Sequence, residues 1–363
     1  MRVQDKLHST GQSLWLSQAS RQMIEAGSLL AQIEDLSITG VAVSPEAVCR
    51  ALSSSHAYDG AIAKKLKTGV YGKELALELI LEDVHYAADL LRHIFDRTKG
   101  TDGWAVLPIS PLISNNADSL LSSVLALQSA MKRPNMLLTV PGLSSELAAI
   151  EEIAFAGISC NIACIYSHDQ LLDAADACLR GIERRIDAGL KPAATTFTSI
   201  EISRLAASFL KEMLLEKATR TAIDVAGNIY RTMRELHTSQ RWERAYNEGA
   251  RPLRLVWVGP EDNQANGSAA ALFKHLVVPR TVMALSDNDM KELLHDQVMF
   301  SLMQAEGEGG KEFATGPDFK SYAAELQERH FALQVQSWIA LLENVARKSA
   351  TVVQEKSFSE GIQ

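Results

Sequence analysis

Eight short apolar runs recur along the chain, and longer stretches with the period of an amphipathic helix separate most of them. Apolar runs of four to eight residues are typical of buried strands, and apolar positions three and four apart are typical of helices. Strands that alternate with helices form parallel βαβ units, and eight such units match a closed (β/α)8 TIM barrel, an α/β fold of about 250 residues. The runs lie at 13–16, 38–43, 104–109, 136–140, 160–166, 196–202, 254–259 and 281–285.

The intervening segments have apolar residues at helical spacing. Gly189 follows the last periodic residue of one of them, where a C′ glycine is expected. No Gly-x-Gly-x-x-Gly follows any predicted strand, so a dinucleotide-binding fold is not indicated. The clearest helical stretches cover 74–97, 117–133, 171–189 and 202–218.

Helical patterns continue after the eighth predicted strand, over 287–304 and 320–348. Because apolar positions recur at three and four in the last of these, we expect it to pack on the barrel. We therefore predict a single barrel with extra C-terminal helices over residues 1–348. The polar residues 349–363 are expected to form a flexible tail.

The composition excludes several classes of function. The chain of 363 residues has 36 basic and 44 acidic side chains, a net charge of −8, and no basic stripe of the kind that binds nucleic acid. We find no signal peptide and no apolar run long enough to span a membrane. The four cysteines lie in apolar or helical runs. We find no pair of His or Cys residues that would complete a set of metal ligands with them. We expect a cytoplasmic protein with no metal, no cofactor, and no nucleic-acid or membrane partner.

Nine segments, spread over nearly the whole chain, occur in a fixed order that can be compared with known families. The segments are GQSLWLSQASR (11–21), LSITGVAVSP (36–45), SSHAYDGAI (54–62), DGWAVLPISP (102–111), RPNMLLTVPG (133–142), AIEEIAFAGISCNIACIYS (149–167), LRGIERRIDAGL (179–190), SIEISR (199–204) and LRLVWVG (253–259). In this order they resemble the matching segments of the transaldolase family, especially its longer bacterial type, and the likeness extends from about Gly11 to Lys348. The resemblance implies a (β/α)8 barrel that moves a three-carbon ketol unit between sugar phosphates, through a Schiff base on a lysine of the fourth strand.

Thr139 occupies the position that the resemblance assigns to the Schiff-base lysine. An iminium is the electron sink that stabilises the carbanion left when the carbon–carbon bond breaks, and only an amine can form it. A hydroxyl can form at most a hemiketal, which provides no such sink. The resemblance therefore implies a barrel that has lost ketol transfer.

Other positions of the family's active site have changed as well. The aspartate of the first strand and the glutamate of the third, which move protons in the family, match Ser17 and Pro108. A threonine that helps hold the catalytic water matches Ala163, and an asparagine near the end of the second strand matches Ser44. Since a serine hydroxyl has far too high a pKa for proton transfer at neutral pH, none of these residues replaces the lost carboxylates.

Part of the binding site is retained. Asn161 is kept, and Ser199 with Arg204 matches the pair that helps hold the substrate phosphate in the family. A guanidinium stays charged and matches phosphate geometry. Where relatives carry a serine and then a basic residue, however, this chain has Gly259, Pro260, Glu261 and Asp262, and two acids would repel a phosphate.

Two residues are candidates for a different chemistry. Glu201 replaces an aromatic of the family and is expected to face the lumen, where partial burial would raise the pKa of a general base. The alternative is an ion pair with Arg204. His168 follows a predicted strand at the catalytic face, and it is either a second acid/base group or a histidine of a helix-capping loop.

Two functions remain open from the sequence. In the first, the protein is an inactive homologue that binds a small phosphorylated metabolite or a partner protein. In the second, it is an enzyme of altered, lysine-independent chemistry in specialised or sugar-phosphate metabolism, with Glu201 as the acid/base. A displaced lysine is disfavoured because Lys132 and Lys191 precede their strands rather than follow them.

Overall fold

Eight parallel strands form a closed barrel in which each strand pairs with the next and β8 pairs with β1. Every run that was predicted as a strand contains one, so the (β/α)8 fold is confirmed. The strands are β1 (Ser13–Ala19), β2 (Gly40–Val43), β3 (Trp104–Pro108), β4 (Met136–Pro141), β5 (Cys160–Ile165), β6 (Thr196–Ile200), β7 (Arg254–Val258) and β8 (Val282–Leu285). The structure, a computed structural model, describes residues 3–113, 117–211, 213–260, 269–295, 303 and 317–360.

Helices surround the barrel and follow the predicted pattern. They are α1 (Val3–Ser9), α2 (Arg21–Glu25), α3 (Ser28–Asp35), α4 (Pro45–Ser54), α5 (Asp59–Lys67), α6 (Gly72–Arg97), α7 (Ala117–Ala130), α8 (Leu147–Ala156), α9 (His168–Asp187), α10 (Ile202–Phe209), α11 (Leu215–His237), α12 (Gln240–Asn247), α13 (Ala269–Phe273), α14 (Asp287–His295) and α15 (Pro317–Glu360). Gly189 has a positive φ of 70° beyond the end of α9, as expected for a C′ glycine. None of the described helices is both long and apolar enough to cross a membrane.

Three helix boundaries differ from the prediction. The stretch 202–218 is two helices, because Leu214 adopts an extended conformation between α10 and α11. The stretch predicted over 287–304 is described as a helix only to His295. Residues 349–360 are helical rather than a tail: Val352 is buried, and the hydroxyls of Ser349 and Thr351 donate to carbonyls four residues back.

Aromatic side chains fill the N-terminal part of the lumen. The Trp15 and Phe197 ring centroids are 4.8 Å apart, and Trp104 lies 6.1 Å from Phe197. Gly40 makes this packing possible, since a Cβ there would lie 2.4 Å from the Trp15 ring. The barrel lumen is therefore a packed core at this level.

Helix α15 lies across the C-terminal end of the barrel. The Nε2 atom of buried Gln327 donates to the carbonyl of Gly142, after β4, at 3.0 Å and to that of Cys164, in β5, at 2.8 Å. Further along the helix, the Lys348 ammonium pairs with Asp59 at 2.8 Å. These contacts hold α15 in place over the ends of the strands.

Candidate active site

A cavity of about 160 Å³, here called the mouth cavity, lies at the C-terminal ends of the strands. Active sites of (β/α)8 enzymes lie at this end. All eight strands contribute to its wall, and α15 adds Phe331, Gln334 and Trp338. Of the residues selected from the sequence, the cavity brings together Ser17, Ser44, Pro108, Thr139, Asn161, Ala163, Ser199, Glu201 and Gly259.

Thr139 is part of a hydrogen-bond chain across three strands. It is in register with Pro108 on β3 and with Asn161 on β5. The Ser199 hydroxyl donates to Oδ1 of Asn161 at 2.9 Å, and Nδ2 of Asn161 donates to Oγ1 of Thr139 at 3.5 Å. These two hydrogen bonds orient the Asn161 amide, and the second one uses the Thr139 oxygen as its acceptor.

The described wall of the mouth cavity contains no lysine. Lys132 and Lys191 are both exposed and lie in the loops that lead into β4 and β6. Because all the strands are parallel, these loops are at the opposite end of the barrel from the mouth cavity. Neither lysine can therefore act as a displaced amine there.

Glu201 and His330 form a buried pair beside the mouth cavity. Glu201 immediately precedes α10 and lines the cavity, and its side chain is 5% exposed. Its Oε1 lies 4.0 Å from Nδ1 of His330, which is 2% exposed and edge-on to the Tyr166 ring. Burial, together with the nearby charge of Arg204, lowers the pKa of His330 to about 3, so this imidazole is neutral at physiological pH.

His330 was not among the residues predicted for the site, because it lies on a helix that we expected only to pack on the barrel. A signal was available nevertheless. Gln327, His330, Gln334 and Trp338 recur at spacings of three and four, so they share one face of α15. Polar residues along the face that a helix buries are unusual and point to specific contacts.

His168 does not line the mouth cavity, contrary to one of its two predicted roles. It is the first residue of α9, whose N-cap is Ser167. Its Nδ1 lies 3.3 Å from Nδ2 of Asn228 on α11. Because the helix begins just after the strand end, the His168 imidazole contacts the outer layer of helices. It does not reach the mouth cavity, where an acid/base group would have to lie.

Arg204 lies in the first turn of α10, half-buried, and is not part of the described cavity wall. Its positive charge nevertheless acts on the buried pair beside the cavity, since it contributes to the lowered pKa of His330. Glu261 and Asp262, which we predicted to repel a phosphate, lie outside the described residues.

The cysteines are free thiols, and three of them are buried. Burial raises the pKa of the Cys160 thiol to about 12 and also raises that of Cys178. Across the described part of the chain, no group of three or more His, Cys, Asp or Glu side chains is arranged to hold a metal ion. The mouth cavity is thus lined by hydroxyl, amide and apolar groups, with Glu46 and Glu201 as its carboxylates.

Comparison with known proteins places this geometry in context. The family model described as transaldolase/fructose-6-phosphate aldolase matches residues 14–345. A transaldolase of Acidothermus cellulolyticus is 29% identical over 79% of each chain. A transaldolase of Thermobifida fusca is 25% identical over 95% of this chain and 98% of its own. A transaldolase of Saccharopolyspora erythraea is 27% identical over 94% of this chain and 96% of its own.

Proposed function

Because the chain belongs to the transaldolase/fructose-6-phosphate aldolase family but carries Thr139 where the resemblance implies a lysine, we propose that it binds a small phosphorylated metabolite without Schiff-base ketol transfer. The observation that carries the proposal is the makeup of the mouth cavity. No lysine is present in its described wall, and the Thr139 oxygen accepts from Asn161. A cavity of this composition can bind a polyol through hydroxyl and amide groups, but it lacks the electron sink for carbon–carbon cleavage.

The size and cover of the mouth cavity favour a metabolite over a protein partner. Its volume is about 160 Å³, and α15 lies over it with Phe331 and Trp338 in the wall. A folded partner would not reach the polar chain from Ser199 to Thr139 past this helix. Arg204, at the start of α10, is the cation that we assign to the phosphate group.

Fructose 6-phosphate is expected to bind to the protein, by calorimetry, and yet not to be trapped on it by borohydride. Borohydride reduces an imine to a stable amine, so an intact mass spectrum reports directly on a Schiff base. The mass of this chain should stay unchanged, whereas the Thermobifida fusca transaldolase, treated in parallel, should gain the mass of the reduced adduct.

Two outcomes would contradict this proposal. An adduct on any lysine of this chain would show that an amine reaches the bound sugar. Binding that is unaffected by Arg204→Gln would show that this residue does not hold the phosphate, where we expect a loss of about tenfold. Arg220→Gln is the matched control, because Arg220 is largely exposed and pairs only weakly with Asp224, at 4.0 Å.

A second candidate function is lysine-independent catalysis, and the Glu201–His330 pair favours it. A carboxylate in the cavity wall beside a buried neutral imidazole is an arrangement that can take and return a proton. The substrate would then be a phosphorylated compound whose reaction needs no iminium.

If that second function holds, a turnover found by mass-spectrometric screening of metabolites should fall at least about 100-fold in Glu201→Gln. Glu146→Gln is the control, since Glu146 is a buried carboxylate outside the mouth cavity. Turnover that survives Glu201→Gln would exclude Glu201 as the base. Turnover that is lost only in Glu201→Gln would instead end the binding-only proposal.

A further inference from the structure

A second cavity, here called the floor cavity, lies at the N-terminal ends of the strands, at the other end of the barrel from the mouth cavity. Its volume is about 1020 Å³, at the upper end of the range for small-molecule pockets, about 300–1,000 Å³. Ser13, Asp102 and Arg254 line its base. The Arg254 guanidinium lies 3.1 Å from Asp102 and donates to Ser13 at 2.8 Å. This ion pair closes the barrel and is accounted for by stability alone.

Three further cations in the wall have no ion pair with a described residue that would explain them by stability. Lys99, Arg251 and Arg280 line the floor cavity, and no carboxylate of the described residues lies within ion-pair distance of any of them. The acids of the wall are Asp102, which is paired with Arg254, and the exposed Glu243. The floor cavity therefore carries excess positive charge in a chain whose net charge is −8. Such a local field attracts anions.

The backbone adopts a strained conformation at two of these three cations. Lys99 and Arg280 have positive φ angles of 52° and 62°, a left-handed conformation that favours glycine. Gly100 has no side chain where a Cβ would lie 2.6 Å from Nη1 of Arg251. Lys99 and Arg280 thus occupy backbone positions where glycine would be less strained. Gly100, by contrast, leaves room for the Arg251 guanidinium. Strained residues of this kind are concentrated at functional sites.

The wall also offers an aromatic surface. Tyr246 lines the floor cavity with 59% of its surface exposed, next to the buried Trp242, whose ring stacks on His237 with a centroid separation of 5.6 Å. An exposed tyrosine is a stacking platform for a flat ring.

We infer that the floor cavity binds a phosphorylated ring compound of the nucleotide class. The phosphate chain lies among Lys99, Arg251 and Arg280, where guanidinium groups give bidentate, charge-assisted hydrogen bonds. The base stacks on Tyr246. This site goes beyond the function proposed above, because it lies at the opposite end of the barrel and uses neither Arg204 nor any residue of the mouth cavity.

Calorimetry with ATP, pyrophosphate and adenosine on the full chain tests this inference. ATP should bind more tightly than pyrophosphate, and adenosine should not bind. Arg251→Glu and Arg280→Glu should each weaken ATP binding at least about tenfold. Lys99→Glu should do the same, and since Lys99 is exposed, this variant separates loss of binding from loss of folding.

Arg244→Glu is the matched control, because Arg244 is an exposed cation of α12 outside the floor cavity. It makes the same change in charge and should leave ATP binding unchanged. The inference fails if ATP does not bind, if the three floor variants bind it like the unmodified chain, or if Arg244→Glu weakens binding equally. None of these outcomes depends on whether fructose 6-phosphate binds at the mouth cavity.

Discussion

Replacing Asp83 with alanine is expected to lower the free energy of unfolding by about 3–5 kcal/mol. Asp83 is 2% exposed; it accepts a hydrogen bond from Nε of Arg21 at 2.7 Å and one from the Tyr58 hydroxyl at 2.6 Å. Burial raises the pKa of Asp83, although the Arg21 charge opposes this. Without the carboxylate, a nearly buried guanidinium and a buried phenol lose their partner, and that loss costs more than the intact pair contributes. Urea unfolding, extrapolated to water, measures the change.

Asp96→Ala is the matched control for this prediction. Asp96 lies on the same helix, α6, and pairs with Arg92 at 2.9 Å with both side chains about half exposed. An exposed pair of this kind contributes about 0.5 kcal/mol or less. Arg21 keeps a contact with Glu82 at 2.9 Å in the Asp83 variant. If Asp83→Ala and Asp96→Ala lower the free energy of unfolding equally, the Arg21–Glu82 contact compensates for the loss of Asp83. The buried network would then not anchor the end of β1.

The fold could be predicted from the sequence because strands buried on both faces are continuous apolar runs with a recognisable length. The break at Leu214 was not visible, since residues 210–218 contain neither glycine nor proline and remain rich in apolar residues. The continuation of α15 to Glu360 was missed for a related reason. A polar composition indicates an exposed surface, but it does not exclude a helix whose apolar positions, such as Val352, are buried.

The site was predictable where strand order alone determines which residues meet. Ser17 and Thr139 lie in the C-terminal halves of β1 and β4, and the carboxyl ends of parallel strands converge in any closed barrel. His330 could not be placed in the same way, because its position depends on the contacts of Gln327 with β4 and β5. His168 shows the opposite case: its place near a strand end in the sequence did not put its side chain in the cavity.

Thr139→Lys is expected to form an imine with fructose 6-phosphate but not to transfer the ketol unit. A lysine at this position extends into the half-buried mouth cavity, where desolvation lowers the pKa of the ammonium and supplies the neutral amine. The amine attacks the ketone carbon, and loss of water gives the iminium. Borohydride trapping, read by intact mass, should therefore become positive. Thr139→Met, of similar length but without an amine, is the control and should show no adduct.

Ketol transfer by Thr139→Lys should nevertheless stay at least about 10⁴-fold below that of the Thermobifida fusca transaldolase. Cleavage requires a base to take the proton of the sugar hydroxyl as the carbon–carbon bond breaks, and at the family's two proton-transfer positions the cavity wall offers Ser17 on β1 and Pro108 on β3. Proton transfer by a positioned group contributes about 10²–10⁴-fold, so adding Ser17→Asp to Thr139→Lys should raise the rate by about that factor. Measurable transfer by the single variant would mean that another group, with Glu201 the first to test, already moves the proton.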